Sequence, residues 1–386
     1  MFAYRRTKST GRRGRTQVKA ILLTPGTTDV RLGERPEPSI DTTDEVKLQI
    51  LQVGICGTDR DEAAGGRAAA APGQADLVIG HESLGRVVEV GSAVTSVKPG
   101  DYALFTVRRG CGHCPACAIN RSDMCYTGDY ADRGIRHRDG YQTEFVVDSE
   151  AYLVPVPAAM ASVAVLTEPM SIAEKAIDEA VQIQVGRLPD AAGSEGWLRD
   201  KNVLVAGLGP IGLLAAMALR LRGANVHGLD VVDAGTIRPR ILDRLGGAYI
   251  DGRQVNPHAL AEHFPEIELI FEATGVAQLE FDLLAALGAN GVYVLTGIAG
   301  GDRPVTIDGS SLMKALVLRN QVTVGSVNAS RKHFALAVTD LQTANETWAD
   351  TLDLLITHRL PYTAFADVLS HHPPDEIKTI LEWSPL

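Results

Sequence analysis

Four of the five cysteines fall in the stretch RRGCGHCPACAINRSDMC, from Arg108 to Cys125. Cys111, Cys114, Cys117 and Cys125 follow the spacing C-x2-C-x2-C-x7-C. Thiolates so spaced can close a tetrahedron around zinc and leave no open position, which makes a structural site. A four-thiolate iron–sulfur cluster is the competing chemistry, but nothing else in the chain points to electron transfer. A nucleic-acid zinc finger would sit in a basic setting, and this chain is acidic, with a formal net charge of −10. His113 lies inside the stretch and reads as an exposed loop residue rather than a ligand.

The fifth cysteine, Cys56, stands alone in GICGTD. His81 and Glu82 follow in GHESLG, and Glu168 in TEPMS. One thiolate, one imidazole and one carboxylate can form an open zinc site, with water or substrate in the fourth place. Each also has a simpler reading. A lone cysteine is usually a packing residue, a His–Glu pair a turn feature, and a Glu before Pro the start of a helix. Spacing alone does not join the three.

A third constellation concerns a cofactor. VLVAGLGPIG places Gly207, Gly209 and Gly212 as G-x-G-x-x-G, with Leu208, Pro210 and Ile211 between them. The motif follows a strand pattern, opens a helix pattern, and is followed after the next strand by Asp230. Gly207 allows the tight turn, Gly209 the approach of a pyrophosphate, and Gly212 close helix–sheet packing. The helix N-terminus offers free N–H groups to the phosphates. Asp230 can accept both ribose hydroxyls of NAD and would repel the 2′-phosphate of NADP. Val231 and Val232 follow it, yet Arg238 and Arg240 could reach back. NAD is therefore preferred, with NADP possible.

These residues need elements to hold them. At 386 residues and 45% hydrophobic, the chain can bury more than one core. From Gln17 to Pro157 the pattern is short strands and turns, as in EVKLQI, with Val46, Leu48 and Ile50 on one face. LTEPMSIAEKAIDEAVQI reads as a helix. Beyond a polar loop, NVLVAG, NVHGLD, ELIFEATG, VYVLTG and VTVGSV read as buried strands alternating with helices such as IGLLAAMALRLRG and QLEFDLLAALG. That alternation marks an α/β class, with a β-rich domain followed by a doubly wound parallel sheet.

The composition excludes other classes. No apolar run approaches the ~20 residues of a membrane span. The first stretch, MFAYRRTKSTGRRGRT, carries six basic residues and no acid, which leaves the remainder still more acidic than the whole. Neither nucleic acid nor a membrane is expected as a partner. Residues 1–16 read as a disordered basic tail without the apolar core of a secretory signal. A cytoplasmic location and free thiols are expected.

The order of motifs resembles the zinc-dependent medium-chain dehydrogenase/reductase superfamily. GHESLGRVVEVGSAV matches its G-H-E-x2-G-x5-G-x2-V signature, and the cysteine lobe and the glycine motif follow in order. Within it, RRGCGHCPACAINRSDMC, DRGIRHRDGYQTEF, EPMSIAEKA, GSVNASRKHF and IKTILEW are most similar to glucose (aldose) 1-dehydrogenases. The resemblance implies a GroES-like catalytic domain over 17–173, a Rossmann domain over 174–326, and a C-terminal return to the first domain over 327–386. It implies two zinc ions per chain, one catalytic and one structural, and a homo-oligomer, dimer or tetramer.

By that resemblance Cys56, His81 and Glu168 hold the catalytic zinc, with Glu82 an alternating ligand. Thr58 stands beside the substrate oxygen, and Asp59 orients His81. Asp132 binds sugar hydroxyls, and Asn328 serves both sugar and nicotinamide. Thr296, Gly297 and Ile298, with Ser326, Val327 and Asn328, line the nicotinamide side. The reaction implied is hydride transfer from an anomeric carbon to NAD(P)+, giving an aldonolactone. Two departures bear on the sugar: Asp132 replaces a commoner Glu, and Ile172 stands where some members carry an acid. A sorbitol-like polyol dehydrogenase is the alternative, and a non-catalytic zinc- and dinucleotide-binding redox sensor the lower one.

Overall fold

The structure is a computed structural model that describes residues 16–191, 196–256, 260, 266–300 and 304–386. Residues 1–15 of the basic tail lie outside the described residues.

The strand Glu45–Ile55 is the spine of the β-rich half. One edge pairs antiparallel with Glu82–Val90. Along the other edge, its first half pairs with Phe145–Ser149 and its second half with Lys378–Glu382. Val46, Leu48 and Ile50 are buried as their alternation predicts. Lys47, Leu51 and Gln52 are buried too, so the simple in–out pattern fails. Register shifts at Lys47/Leu48 and Ile50/Gln52 break the period of two, as bulges do.

The second half contains six parallel strands in the order Ala248–Asp251, Asn225–Asp230, Asn202–Ala206, Ile267–Glu272, Leu287–Leu295, Val322–Gly325. This is the doubly wound dinucleotide-binding order, which reverses direction beside Asn202–Ala206. Alternate residues feed opposite faces: Val203 and Val205 enter one core, Leu204 and Ala206 the other. Two expectations need correction. The fifth strand begins at Leu287, so the helix read in QLEFDLLAALG ends early, as Ala277–Asp282 and a 3-10 turn. The sixth, read as buried, alternates between half-buried and exposed residues because it is the sheet edge.

The helix Thr167–Val185 spans residues 173 and 174 and is buried along most of its length. It starts against the β-rich half and packs on the helices Pro210–Leu221 and Arg331–Thr347. The chain then returns: Lys378–Glu382 joins the first sheet, and Ile356–Pro361 pairs parallel to it.

Candidate active site and metal centres

The four-cysteine lobe is built by local backbone. Cys114 caps the short helix Pro115–Ala118, its Sγ accepting the Cys117 N–H, and Pro115 occupies the first helical position. The Cys114 N–H in turn donates to Cys111 Sγ at 3.4 Å. Gly112 takes φ +79°, which frees the chain to turn between the first two thiols. All four sulfurs lie within 4.8 Å of one another. Cys111 Sγ and Cys117 Sγ are 3.9 Å apart. A zinc tetrahedron with ordinary Zn–S bonds places its sulfurs about 3.8 Å apart, so the donor set fits zinc. His113 is exposed, its Nδ1 at 2.9 Å from the Cys111 carbonyl.

The second cluster is assembled from distant segments. Cys56 directly follows the spine strand and caps the helix Gly57–Ala63. Its N–H donates to Asp59 Oδ2 at 2.8 Å. The other Asp59 oxygen faces His81 Nδ1 at 3.4 Å. One buried carboxylate thus fixes both residues. Burial alone would lower the His81 pKa, but Asp59 outweighs it and holds the imidazole well above its ordinary value. Thr58 is half-buried in the first turn of the same helix.

Cys56, His81 and Glu82 offer ligand atoms within 4.8 Å of one another, a mixed set that also fits zinc. Glu168 is not part of that tight group. It is buried at the start of its helix, near enough for His81 and Glu82 to act on it, and burial pushes its carboxyl up to about 7.

Lys378 was not found by sequence reasoning. Its Nζ donates to both Glu82 oxygens at 2.7 Å and to the Ile55 carbonyl at 3.1 Å, all out of water. A Cβ on Gly54 would fall 2.0 Å from Glu82 Oε2, so that strand position requires glycine. A lysine inside the apolar run IKTILEW was the available hint.

In the glycine motif, Gly207 has φ +90°. A Cβ on Gly212 would lie 1.7 Å from the Gly207 carbonyl oxygen, while Gly209 faces open space. Gly209 precedes the helix Pro210–Leu221, whose first turn holds Pro210 and Ile211. Leu208 is buried, and its N–H donates to Asp230 Oδ2 at 2.8 Å. The Val231 N–H donates to Asp230 Oδ1 at 2.6 Å. Arg238 does reach back, to 3.7 Å from Asp230, whereas Arg240 is exposed. Gly209, Asp230, Val231 and Arg238 line a cavity of roughly 340 Å³. Val231, Ile298 and Val327 are exposed by 63%, 62% and 56%, apolar surface that a bound dinucleotide would cover.

Glu272 was also missed. It is fully buried at the end of the fourth parallel strand. It accepts the N–H groups of Thr274, Gly275 and Gly297, and its carbonyl accepts the Thr296 hydroxyl. It ties together the loops that follow the fourth and fifth parallel strands, the first of which adjoins Gly207.

Asp132 and Asn328, far apart in sequence, meet directly: Asn328 Nδ2 donates to Asp132 Oδ1 at 3.0 Å. Ser326, two residues before Asn328, is buried, and Asn328 adopts φ +64°.

The Glucose dehydrogenase C-terminus family matches residues 161–383, and the Alcohol dehydrogenase GroES-like domain matches residues 42–158. The chain belongs to the glucose dehydrogenase family. A glucose 1-dehydrogenase of Methanocella arvoryzae is 35% identical over 89% of this chain and 93% of its own. Glucose 1-dehydrogenase 1 of Caldivirga maquilingensis is 36% identical over 96% of this chain and 100% of its own. Among solved structures, Haloferax mediterranei glucose dehydrogenase in complex with NADP, Zn and gluconolactone superposes with a TM-score of 0.83 at 30% identity. That match covers 95% of this chain and 100% of the other. The glucose dehydrogenase family thus accounts for both halves of the fold, the GroES-like one and the doubly wound one.

Proposed function

We propose that this protein is a zinc-dependent glucose (aldose) 1-dehydrogenase that passes a hydride from the anomeric carbon to a nicotinamide dinucleotide and releases an aldonolactone. The reading rests on one observation above all. A mixed thiolate–imidazole–carboxylate cluster and a hydrogen-bonded pair of buried Asp132 and half-buried Asn328 occur in a chain whose relatives are named glucose 1-dehydrogenases.

In this reading Cys56, His81 and Glu168 hold the catalytic zinc. Glu82 is the alternate ligand, kept back by Lys378. Zinc, when bound, supplies Lewis-acid polarisation of the substrate hydroxyl. Asp59 fixes the orientation of His81 and the backbone of Cys56. The Thr58 hydroxyl would relay the proton leaving the anomeric oxygen, accepting it as it hands its own proton outward to water or a ribose hydroxyl. With the dinucleotide bound, the hydride from the same carbon would go to the nicotinamide ring as the C=O bond forms. Asp132 and Asn328 hold sugar hydroxyls. Thr296, Gly297 and Ile298, with Ser326 and Val327, line the nicotinamide. Cys111, Cys114, Cys117 and Cys125 hold a structural zinc.

Gly207 to Gly212 cradle the pyrophosphate, and Asp230 keeps a second lone pair on each oxygen for ribose hydroxyls. That favours NAD. Arg238 offsets part of the Asp230 charge, so NADP is accepted more weakly.

A homo-oligomer is proposed from the open edge strand Val322–Gly325 and the helix Gly309–Leu318, on which Val317 and Leu318 are each 74% exposed. Among the described residues no helix is long and apolar enough to cross a membrane. The described cysteines are all free, which suits the cytoplasm.

The test is a panel of aldoses and polyols with NAD and with NADP, with products identified. Lactone from glucose or a near relative is the expected result. Ketose from a polyol would replace the reading with the polyol one, and a strong NADP preference would overturn the role given to Asp230.

A further inference from the structure

Asp123 lies two residues before Cys125, in the 3-10 turn Ser122–Met124, and is 3% exposed. Two chains of contacts leave it. Its carbonyl accepts Arg108 Nη1 at 3.1 Å. Arg108 grips Asp132 with both remaining faces of its guanidinium, Nε to Oδ1 at 2.9 Å and Nη2 to Oδ2 at 3.1 Å. Asp132 then accepts Asn328 Nδ2. On the other side, the Asp123 carboxylate stands 3.3 Å from Lys175 Nζ. Lys175, 1% exposed, donates to the Val327 carbonyl at 2.7 Å. Val327 is the neighbour of Asn328, so the two chains close into a ring.

The ring crosses three regions: the four-cysteine lobe, the helix Thr167–Val185 and the segment 326–328. Lys175 is seven residues after Glu168 on that helix, hence on the same face and about 10 Å along it.

The ring also limits what its members can do. Asp132 has three of its four acceptor positions filled, which leaves one for a sugar hydroxyl. A carboxylate gripped in a bidentate fork presents that position in one direction. Asn328 holds a left-handed backbone, a conformation that favours glycine and, after it, asparagine. Its own Oδ1 accepts the Ala329 N–H, and Lys175 fixes the preceding carbonyl. Arg121 also pairs with Asp123, so the carboxylate stays neutralised while it serves Lys175. A docking role alone would be met by Arg121 and needs no contact that reaches the Val327 carbonyl next to Asn328.

We propose that Asp123 is a positioning residue of the sugar site. Its carbonyl orients Asp132 through Arg108, and its carboxylate orients Asn328 through Lys175. The four-cysteine lobe thereby sets sugar affinity as well as stability. This rests on the reading of Asp132 and Asn328 as sugar-binding.

The test uses the full-length holoenzyme, with its zinc content measured in every variant. Asp123→Asn is expected to raise KM for glucose roughly tenfold, the size expected for loss of a charge-assisted bond, and to raise KM for NAD clearly less, Val327 being read as a nicotinamide contact. Lys175→Met, which like Asp123→Asn cuts the carboxylate arm and leaves the backbone-carbonyl arm in place, is expected to do the same, and it carries the test if Asp123→Asn does not fold. Asp132→Asn is the control. In the double variant Asp123→Asn/Asp132→Asn the effects on glucose KM are expected to be non-additive, as for two members of one network. An impaired Asp132→Asn beside a normal glucose KM in Asp123→Asn and Lys175→Met would overturn the inference and leave the sugar-site reading standing. A normal glucose KM in Asp132→Asn would overturn that reading and this inference with it. Equal rises in KM for glucose and for NAD would reduce the ring to a structural role.

Discussion

The two candidate metal clusters use the same element chemistry and are built in opposite ways. The cysteine lobe draws four like ligands from one short, contiguous stretch and leaves no open position. The Cys56 cluster draws unlike ligands from separate strands and relies on buried partners, Asp59 behind His81 and Lys378 behind Glu82. The lesson concerns cost. A closed thiolate set is satisfied by its metal and by local N–H groups. An open set must be held in shape by residues that do no chemistry themselves, because an incomplete coordination shell cannot hold it. In this fold those holding residues are charged and buried, so each is a point of failure.

The first way to break the comparison is Cys56→Ala. Turnover is expected to fall by about a thousandfold or more, with the melting temperature shifted by no more than about 2 °C. Steady-state kinetics beside thermal unfolding decide it. Similar melting losses here and in the cysteine lobe would erase the division of labour.

Cys114→Ala is the converse. It removes a ligand and a helix cap together. The melting temperature is expected to drop by at least about 5 °C, with one zinc lost per chain in metal analysis.

Lys378→Met sharpens the contrast within the open cluster. Glu82 would be left as a buried carboxylate without its cation, at a cost of about 3–5 kcal/mol in denaturant unfolding. Survival of full stability would mean that Glu82 is not held by Lys378 in solution.

The smallest effect is a pH dependence of the zinc-stripped protein. Burial raises the Glu168 carboxyl from 4.5 to about 7. The folded state therefore holds a proton that the unfolded state releases between these values. Stability from this group is present below about 4.5 and lost as pH rises through 7, by up to about 3 kcal/mol. Glu168→Gln is expected to flatten that slope. Zinc affinity runs the other way and rises with pH, since a ligand must be deprotonated. Unchanged slopes in the variant would show that Glu168 does not titrate in this range.

How much of this was legible follows from distance along the chain. The cysteine lobe and the glycine motif were readable because each is one turn of backbone with its own residue requirements, as at Gly112 and Gly207. The parallel strands were readable where both faces are covered. At Val322–Gly325 the strand was read correctly and only its burial was not, because a sheet edge is decided by what does not pair with it. In the spine strand the shared face of Val46, Leu48 and Ile50 was legible, but the burial of Leu51 and Gln52 beyond the second bulge was not.

The sequence by itself determined the ligand types, the order of the two halves and the need for a dinucleotide. Family resemblance, not spacing, joined Cys56 to His81 and Glu168. Only the tertiary structure decided who holds whom. Lys378 meets Glu82 across 296 residues, and Asn328 meets Asp132 across 196. Such pairs leave no periodic signal, because a charge is placed by the return of a distant strand or loop. Buried charges are tolerated only where the fold brings that partner back, so the supporting residues become visible once the chain has closed on itself.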